Sequence, residues 1–204
     1  MSRLSADVVV IGGGASGMMC SAVAAERGLD VILLEPNKIL GRKLRITGKG
    51  RCNVTNNCDI KEFLTNIPGD GRFLYSALNR LSPRDTMELF ENLGLKLKTE
   101  RGNRVFPVSD NANDVAGTLQ RYMHRNGVRI ERCSAKRILT ENSAVVGVQT
   151  DEGIIDCRAA VICTGGLSYP LTGSKGAGYK MAQELGHTVT ERRPSLVPLK
   201  SDDE

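Results

Sequence analysis

The sequence predicts an α/β fold built on a parallel sheet, and three observations carry that expectation. ADVVVI (6–11) and LDVILL (29–34) are short, β-branched or aliphatic runs of the kind that a parallel sheet buries on both faces. Between them stand the cluster Gly12-Gly13-Gly14-Ala15-Ser16-Gly17 and a stretch of small and apolar residues from Ser16 to Arg27. That stretch reads as a helix, with Gly28 as its stop signal. Glu35 then places an acid at the tip of the second strand, completing a βαβ unit of the expected length.

The remaining elements follow in order. GRKLRITGKGRCN (41–53) carries five cations, Arg42, Lys43, Arg45, Lys49 and Arg51, and three glycines, with no period of 3.6 or 2, so it reads as a loop. From Ile60 to Leu97 the pattern is mostly helical: Phe73, Leu74, Ala77, Leu78 and Leu81 form an apolar stripe. Ser82-Pro83, with Asp85, starts a second helix that Gly94 ends. RVFP is strand-like; Asn111 or Asn113 opens a helix whose face is Val115, Leu119, Tyr122 and Met123, closed by Asn126-Gly127. VRIERC, AKRIL, SAVVGVQT and IIDCRAAVIC read as a β-meander turning at Asp151-Glu152-Gly153, and Lys180 to Leu185 as a last helix before Gly186.

Composition narrows the function classes. With 204 residues and 40% hydrophobic content the chain can bury an ordinary core. Four Tyr, four Phe and no Trp argue against an aromatic base-stacking surface, and the net charge of +5, without a long Lys/Arg run, does not by itself indicate nucleic acid. Six scattered cysteines without a C-x-x-C are expected as reduced thiols, and two distant histidines, His124 and His187, give a zinc site little to build with, so no metal is expected. MSRLSADVVVIGGG lacks a signal-peptide core and no segment is apolar enough to span a bilayer, which makes the cytoplasm the expected location.

The glycine cluster carries chemistry. Gly12 permits a tight turn, Gly14 lets backbone approach a pyrophosphate, and Gly17 lets helix and strand pack closely, while the helix N-terminus offers free N–H groups. Glu35 stands where it can accept from an adenosine ribose. These features specify an adenine dinucleotide and leave NAD and FAD open. The glycine-rich basic loop favours FAD, because in a simple NAD dehydrogenase the segment after the acid usually crosses over into a third strand.

GGGASG, GRKLRITGKGRCNVTN, GNRVFPVSDNANDV, TGGLSYPLTGSKGAGY and PSLVPL, in that order, resemble the bacterial BaiN-like family of NAD(P)/FAD-dependent oxidoreductases. The resemblance implies a Rossmann-like FAD/NAD(P)-binding domain with a parallel sheet, helices and a β-meander. It implies FAD held by Gly12, Gly14, Ala15, Ser16, Gly17, Glu35 and Pro36, with Arg42 and Lys43 along the cofactor; Arg42, which follows Glu35 closely, is the candidate for the phosphate and adenosine end. Thr47, Gly48, Gly50, Arg51, Cys52 and Asn53 are expected toward the flavin end, and Ala135, Thr164, Gly165 and Gly166 along the cofactor. Arg51 is expected near the flavin, where a cation would favour the anionic reduced form. The resemblance also implies a transient NAD(P)H donor and a small-molecule substrate.

Two departures stand out. The family reads G-D-G-Y where this chain has Gly176-Ala177-Gly178-Tyr179. Family members also continue past PSLVPL, so residues 1–190 are expected as the FAD-binding domain and 191–204 as the start of a truncated, inserted substrate-side domain. The apolar run Leu196 to Leu199 is then expected to leave an exposed edge, with weak FAD retention, slow turnover and self-association. Two rival readings are a non-catalytic FAD-holding fragment and a flavin-dependent tRNA-modifying enzyme. Nucleic acid is not the expected partner, since no basic face beyond the loop is evident.

Overall fold

A computed structural model describes residues 4–194. Strand β1 (Leu4–Ile11) leads into helix α1 (Ala15–Glu26) and strand β2 (Val31–Leu34), which lies parallel to β1 with Val9 opposite Ile32. This is the βαβ unit expected from the sequence. Helix α2 (Arg42–Ile46) follows, then a 3-10 turn (Thr47–Gly50) and the two-residue strand β3 (Thr55–Asn56). Residues 41–53 are therefore not wholly irregular. Gly41, in the left-handed region at φ 67°, lets the chain turn into α2, where Leu44 packs against the core beside Val115 and Leu119.

Helices α3 (Ile60–Thr65), α4 (Tyr75–Arg80) and α5 (Pro83–Asn92) come next. Helix α5 begins with the capping box its sequence predicts: the Ser82 hydroxyl accepts from the Asp85 N–H at 3.1 Å and the Asp85 carboxylate accepts from the Ser82 N–H at 2.9 Å. The stripe expected from Phe73 to Leu81 does not pack as a core face. It is split between a 3-10 turn and a six-residue helix, and Phe73 is 86% exposed. Strands β4 (Leu97–Glu100) and β5 (Arg104–Pro107) join β3 in a small antiparallel sheet of order β3-β5-β4.

Helix α6 (Ala112–Arg125) starts at Asn111, whose side chain accepts from the Asn113 N–H at 3.0 Å. Strands β6 (Arg129–Glu131), β7 (Ala135–Glu141), β8 (Ala144–Thr150) and β9 (Ile154–Ile162) precede the last described helix, α7 (Ala177–Glu184). The main sheet has the order β6-β2-β1-β9-β8-β7. VRIERC thus does not belong to the meander; it is a parallel strand beside β2, with Leu33 opposite Ile130. The Arg129 guanidinium binds Asp30 at 2.7 Å and the Glu35 N–H donates to the Glu131 carbonyl at 3.0 Å, which together draw β6 to that edge. Strand β9 joins two architectures, pairing parallel with β1 on one side and antiparallel with β8 on the other.

The period-2 alternation of β1 and β2 feeds two cores. Val10, Val31 and Leu33 face α1 and α6, packing on Met18, Val115, Leu119 and Met123. Val9, Ile11, Ile32 and Leu34 face the other way, toward Cys133, Ile138, Val148 and Met181. Burial on both faces explains why these strands read as unbroken apolar runs. The run Leu196 to Leu199, and most of the segment expected from 191 as a second domain, lie outside the described residues.

Candidate dinucleotide site

The C-terminal ends of β1, β2 and β9 open into a cleft of about 810 Å³. Its floor is the glycine turn. A Cβ at Gly17 would lie 1.8 Å from the Gly12 carbonyl oxygen, and one at Gly12 would lie 2.5 Å from the Cys163 carbonyl oxygen, so both glycines are required by backbone approaching backbone. Gly14 differs, since a Cβ there meets nothing within 4 Å and its missing side chain leaves room in the cleft. Helix α1 starts at Gly14 with no side-chain cap and no acid in its first turn. Its free N–H groups and positive end are available to an anion.

At one end of the cleft the Glu35 carboxylate is held by two neighbours. One oxygen accepts from the Gly13 N–H at 2.8 Å, and the other from the Asn37 N–H at 2.9 Å and the Asn37 side-chain amide at 2.6 Å. Asn37 was not expected from the sequence, yet it ties the site together: its side-chain oxygen accepts from Arg42 at 2.7 Å and its carbonyl from Arg132 at 2.6 Å. An amide two residues after the acid was the available signal.

Of the residues predicted for a cofactor, Gly12, Gly14, Ala15, Ser16, Glu35, Pro36, Arg42, Lys43, Thr47, Cys52, Asn53, Ala135, Thr164 and Gly165 line this one cleft. Gly17 lies beneath it, packed on Gly12. Gly48, Gly50, Arg51 and Gly166 are not among its lining residues. The Arg51 guanidinium is turned to Glu100, at 3.0 Å, and sits 4.1 Å from the centre of the Phe106 ring. Lys43 donates to the hydroxyl of Ser168, in the segment after β9, at 3.1 Å. Ala177, at the family's acidic position, also lines the cleft, while the Gly178 N–H donates to the Thr164 hydroxyl at 3.1 Å.

Met19, Leu44, Val54, Leu89, Phe90 and Leu119 add an apolar part to the lining of the same cleft. The sequence placed Leu119 on the core face of a helix, and periodicity does not tell a core face from a cleft wall. All six cysteines are free. Burial pushes the Cys52 thiol up from its ordinary value, and the bond to Cys20 together with burial does the same for Cys163.

A parallel sheet, a glycine turn opening α1, an acid at the tip of β2 and a returning meander define a Rossmann-type domain. The chain belongs to the family described as the HI0933-like protein Rossmann domain, whose model matches residues 6–193. The family expected from the motifs is thus the family found.

Over 193 residues the chain is 32% identical to the 3-dehydro-bile acid delta(4,6)-reductase of Clostridium scindens, covering 94% of this chain and 46% of that protein. It is also 32% identical to the ribosomal RNA dihydrouridine synthase of Escherichia coli, covering 94% of this chain and 47% of that protein. The chain therefore spans about half the length of these curated relatives. Among solved structures, the 3-ketosteroid-delta4-(5alpha)-dehydrogenase from Rhodococcus jostii RHA1 matches with a TM-score of 0.65 at 18% identity, over 83% of this chain and 47% of that one, a likeness of fold. Among the described residues no helix is long and apolar enough to cross a membrane.

Proposed function

We propose that this chain is the FAD-holding part of a cytoplasmic oxidoreductase that takes electrons from NAD(P)H and reduces a carbon–carbon double bond in a small-molecule substrate. One observation carries the reading. A single continuous cleft joins the Glu35 carboxylate, the uncapped N-terminus of α1 with its open space at Gly14, and the Thr47, Cys52 and Asn53 wall. The residues fit FAD in that order: Glu35 and Asn37 for the ribose, Gly14, Ala15 and Ser16 for the pyrophosphate, and the 47–53 wall with Thr164 and Gly165 toward the ring. When bound, FAD supplies hydride-transfer chemistry. The chain's own part is to fix the phosphates on backbone N–H groups, hold the ribose by a carboxylate already oriented, and keep water from one side of the cleft.

The names of the two relatives support the class of substrate, since a delta(4,6)-reductase and a dihydrouridine synthase both saturate a carbon–carbon double bond. The second name, with the net charge of +5, favours RNA uridine as a second reading of the substrate. The test is a visible spectrum of the purified protein followed by anaerobic addition of NADH and of NADPH. A yellow protein bleached by one of them supports the proposal. Colourless protein that takes up NAD but not FAD in calorimetry would sink it. Binding to RNA that weakens steeply with salt would move the substrate to the second reading.

A further inference from the structure

Four of the five residues from Gly48 to Cys52 have left-handed backbone, with φ of 55° at Gly48, 57° at Lys49, 84° at Gly50 and 61° at Cys52. Two of them, Lys49 and Cys52, carry side chains, and such conformations persist only where the surroundings impose them. Local hydrogen bonds close the turn: the Cys52 N–H donates to the Thr47 carbonyl at 3.0 Å and the Arg51 N–H to the Gly48 carbonyl at 3.3 Å. The turn also sits tightly on the small sheet, for a Cβ at Gly48 would lie 3.2 Å from the Phe106 ring.

The remaining constraint comes from Arg51. Its guanidinium reaches both Glu100 oxygens, at 3.0 and 3.1 Å, and Asp110 at 3.3 Å, while stacking 4.1 Å from the Phe106 ring centre. Lys98 completes the group, binding Asp110 at 2.6 Å and Glu100 at 3.4 Å. Two cations thus face two carboxylates, and the group's net charge is zero. Its neighbours Thr47, Cys52 and Asn53 line the cleft, and Arg51 does not.

We propose that Arg51 is a positioning residue: by clamping the Thr47–Asn53 turn to Glu100, Asp110 and Phe106 it fixes the backbone that forms one wall of the cleft. Its own charge, balanced within the group, does not act on the ligand. Glu100 and Asp110 hold the Arg51 guanidinium above its ordinary value, so the clamp keeps its charge at any working pH. Arg rather than Lys suits the task, because a planar guanidinium can lie on the Phe106 ring while its Nη1 serves both carboxylates. Only the second readout below rests on FAD as the ligand.

The experiment compares Arg51→Gln, Arg51→Lys, the pair Glu100→Gln/Asp110→Asn, and all three neutralisations combined. The first readout is amide hydrogen exchange at residues 47–54 in ligand-free protein, with helix α6 as the internal reference. Arg51→Gln and the acid pair should each raise exchange at the Cys52 amide by about tenfold, α6 should hold, and Arg51→Lys should recover part of the protection. The second readout is the reduction potential of bound FAD. A clamp predicts that Arg51→Gln and the acid pair move it in the same direction, and that the combined variant goes no further. Opposite shifts would mean that the charge of Arg51 acts directly on the flavin and would overturn the proposal, as would unchanged exchange at 47–54 in Arg51→Gln. Should Arg51→Gln not fold, the Lys variant and the acid pair decide both readouts in its place. A parent protein that holds no FAD would fail the proposed function and leave the exchange result to decide the clamp.

Discussion

The two walls of the cleft are built by different physics. The glycine turn from Gly12 to Gly17 is fixed by contact of backbone with backbone, with Gly17 against Gly12 and Gly12 against Cys163. The wall from Gly41 to Asn53 is fixed by side chains reaching out of it: Arg42 to Asn37, Lys43 to Ser168 and Arg51 to Glu100 and Asp110. A steric constraint either tolerates a change or fails. An electrostatic one weakens by degrees and is screened by salt. The turn should therefore show all-or-none defects, and the basic wall graded ones.

The largest expected effect separates two glycines within the turn. In Gly17→Ala the new methyl lies 1.8 Å from a backbone oxygen that cannot retreat, and destabilisation of about 4 kcal/mol or more is expected, visible as loss of a cooperative thermal transition. Gly14→Val should keep the parent's transition, because its side chain points into open space, and should lose FAD binding, because that space is the cleft. If Gly14→Val still binds FAD, the pyrophosphate does not lie on this turn.

Next in size is Glu35→Ala, which removes the acceptor proposed for the ribose. FAD affinity measured by calorimetry should fall by about 1.5–3 kcal/mol, the range for hydrogen bonds to charged groups. The same change leaves the Gly13 N–H and the Asn37 amide without their partner, so a small loss of thermal stability is expected alongside. Unchanged affinity would remove Glu35 from the site.

Helix α1 is tied from behind, and that tie gives a smaller effect with a pH signature. The buried Tyr122 hydroxyl donates to Glu26 at 2.6 Å, linking α6 to α1. Burial first, and then this bond to a carboxylate, push the phenol up to about 12 from its ordinary value near 10. The folded state holds this proton more tightly than the unfolded one, so the contribution is complete below pH 10 and is lost as pH rises from about 10 to about 12. Tyr122→Phe should cost about 1 kcal/mol at neutral pH and flatten that part of the alkaline limb in a denaturant titration. A limb identical to the parent's would place the alkaline loss elsewhere.

The same contrast explains what the sequence disclosed. The turn was legible because its signal is local: the glycine spacing, the apolar runs on either side and the acid at Glu35 lie within about thirty residues, and the Ser82 cap of α5 was read in the same way. The basic wall was legible in composition and in part in direction, since Arg42 and Lys43 line the cleft and Arg51 does not. Arg51 was expected to face a flavin, and its partners Glu100 and Asp110 stand 49 and 59 residues away, beyond any periodicity. VRIERC failed for a related reason, since three paired residues carry no period and their placement beside β2 rests on backbone pairing with residues 32–34, almost a hundred residues before them. Phe73 looked like a core residue, and an apolar stripe cannot say whether anything covers it.

The smallest expected effect is also the most direct probe of the contrast. Lys43 donates to Ser168, an exposed contact between α2 and the segment after β9. Exposed charged contacts contribute roughly 0–1 kcal/mol, because water competes for both partners. Lys43→Met and Ser168→Ala should therefore speed FAD release by no more than about fivefold, and the double variant should add nothing to either single change. Salt then separates the two walls. At about 1 M salt the Debye length shrinks to roughly 3 Å, so the attraction of the Lys43 ammonium for the phosphates of FAD is screened and the parent should release FAD nearly as fast as Lys43→Met. Gly14→Val should remain as defective as at low salt, because no ion screens a methyl group. If salt rescues the glycine variant, or leaves the gap between the parent and Lys43→Met unchanged, the two walls do not differ in the way their contacts indicate.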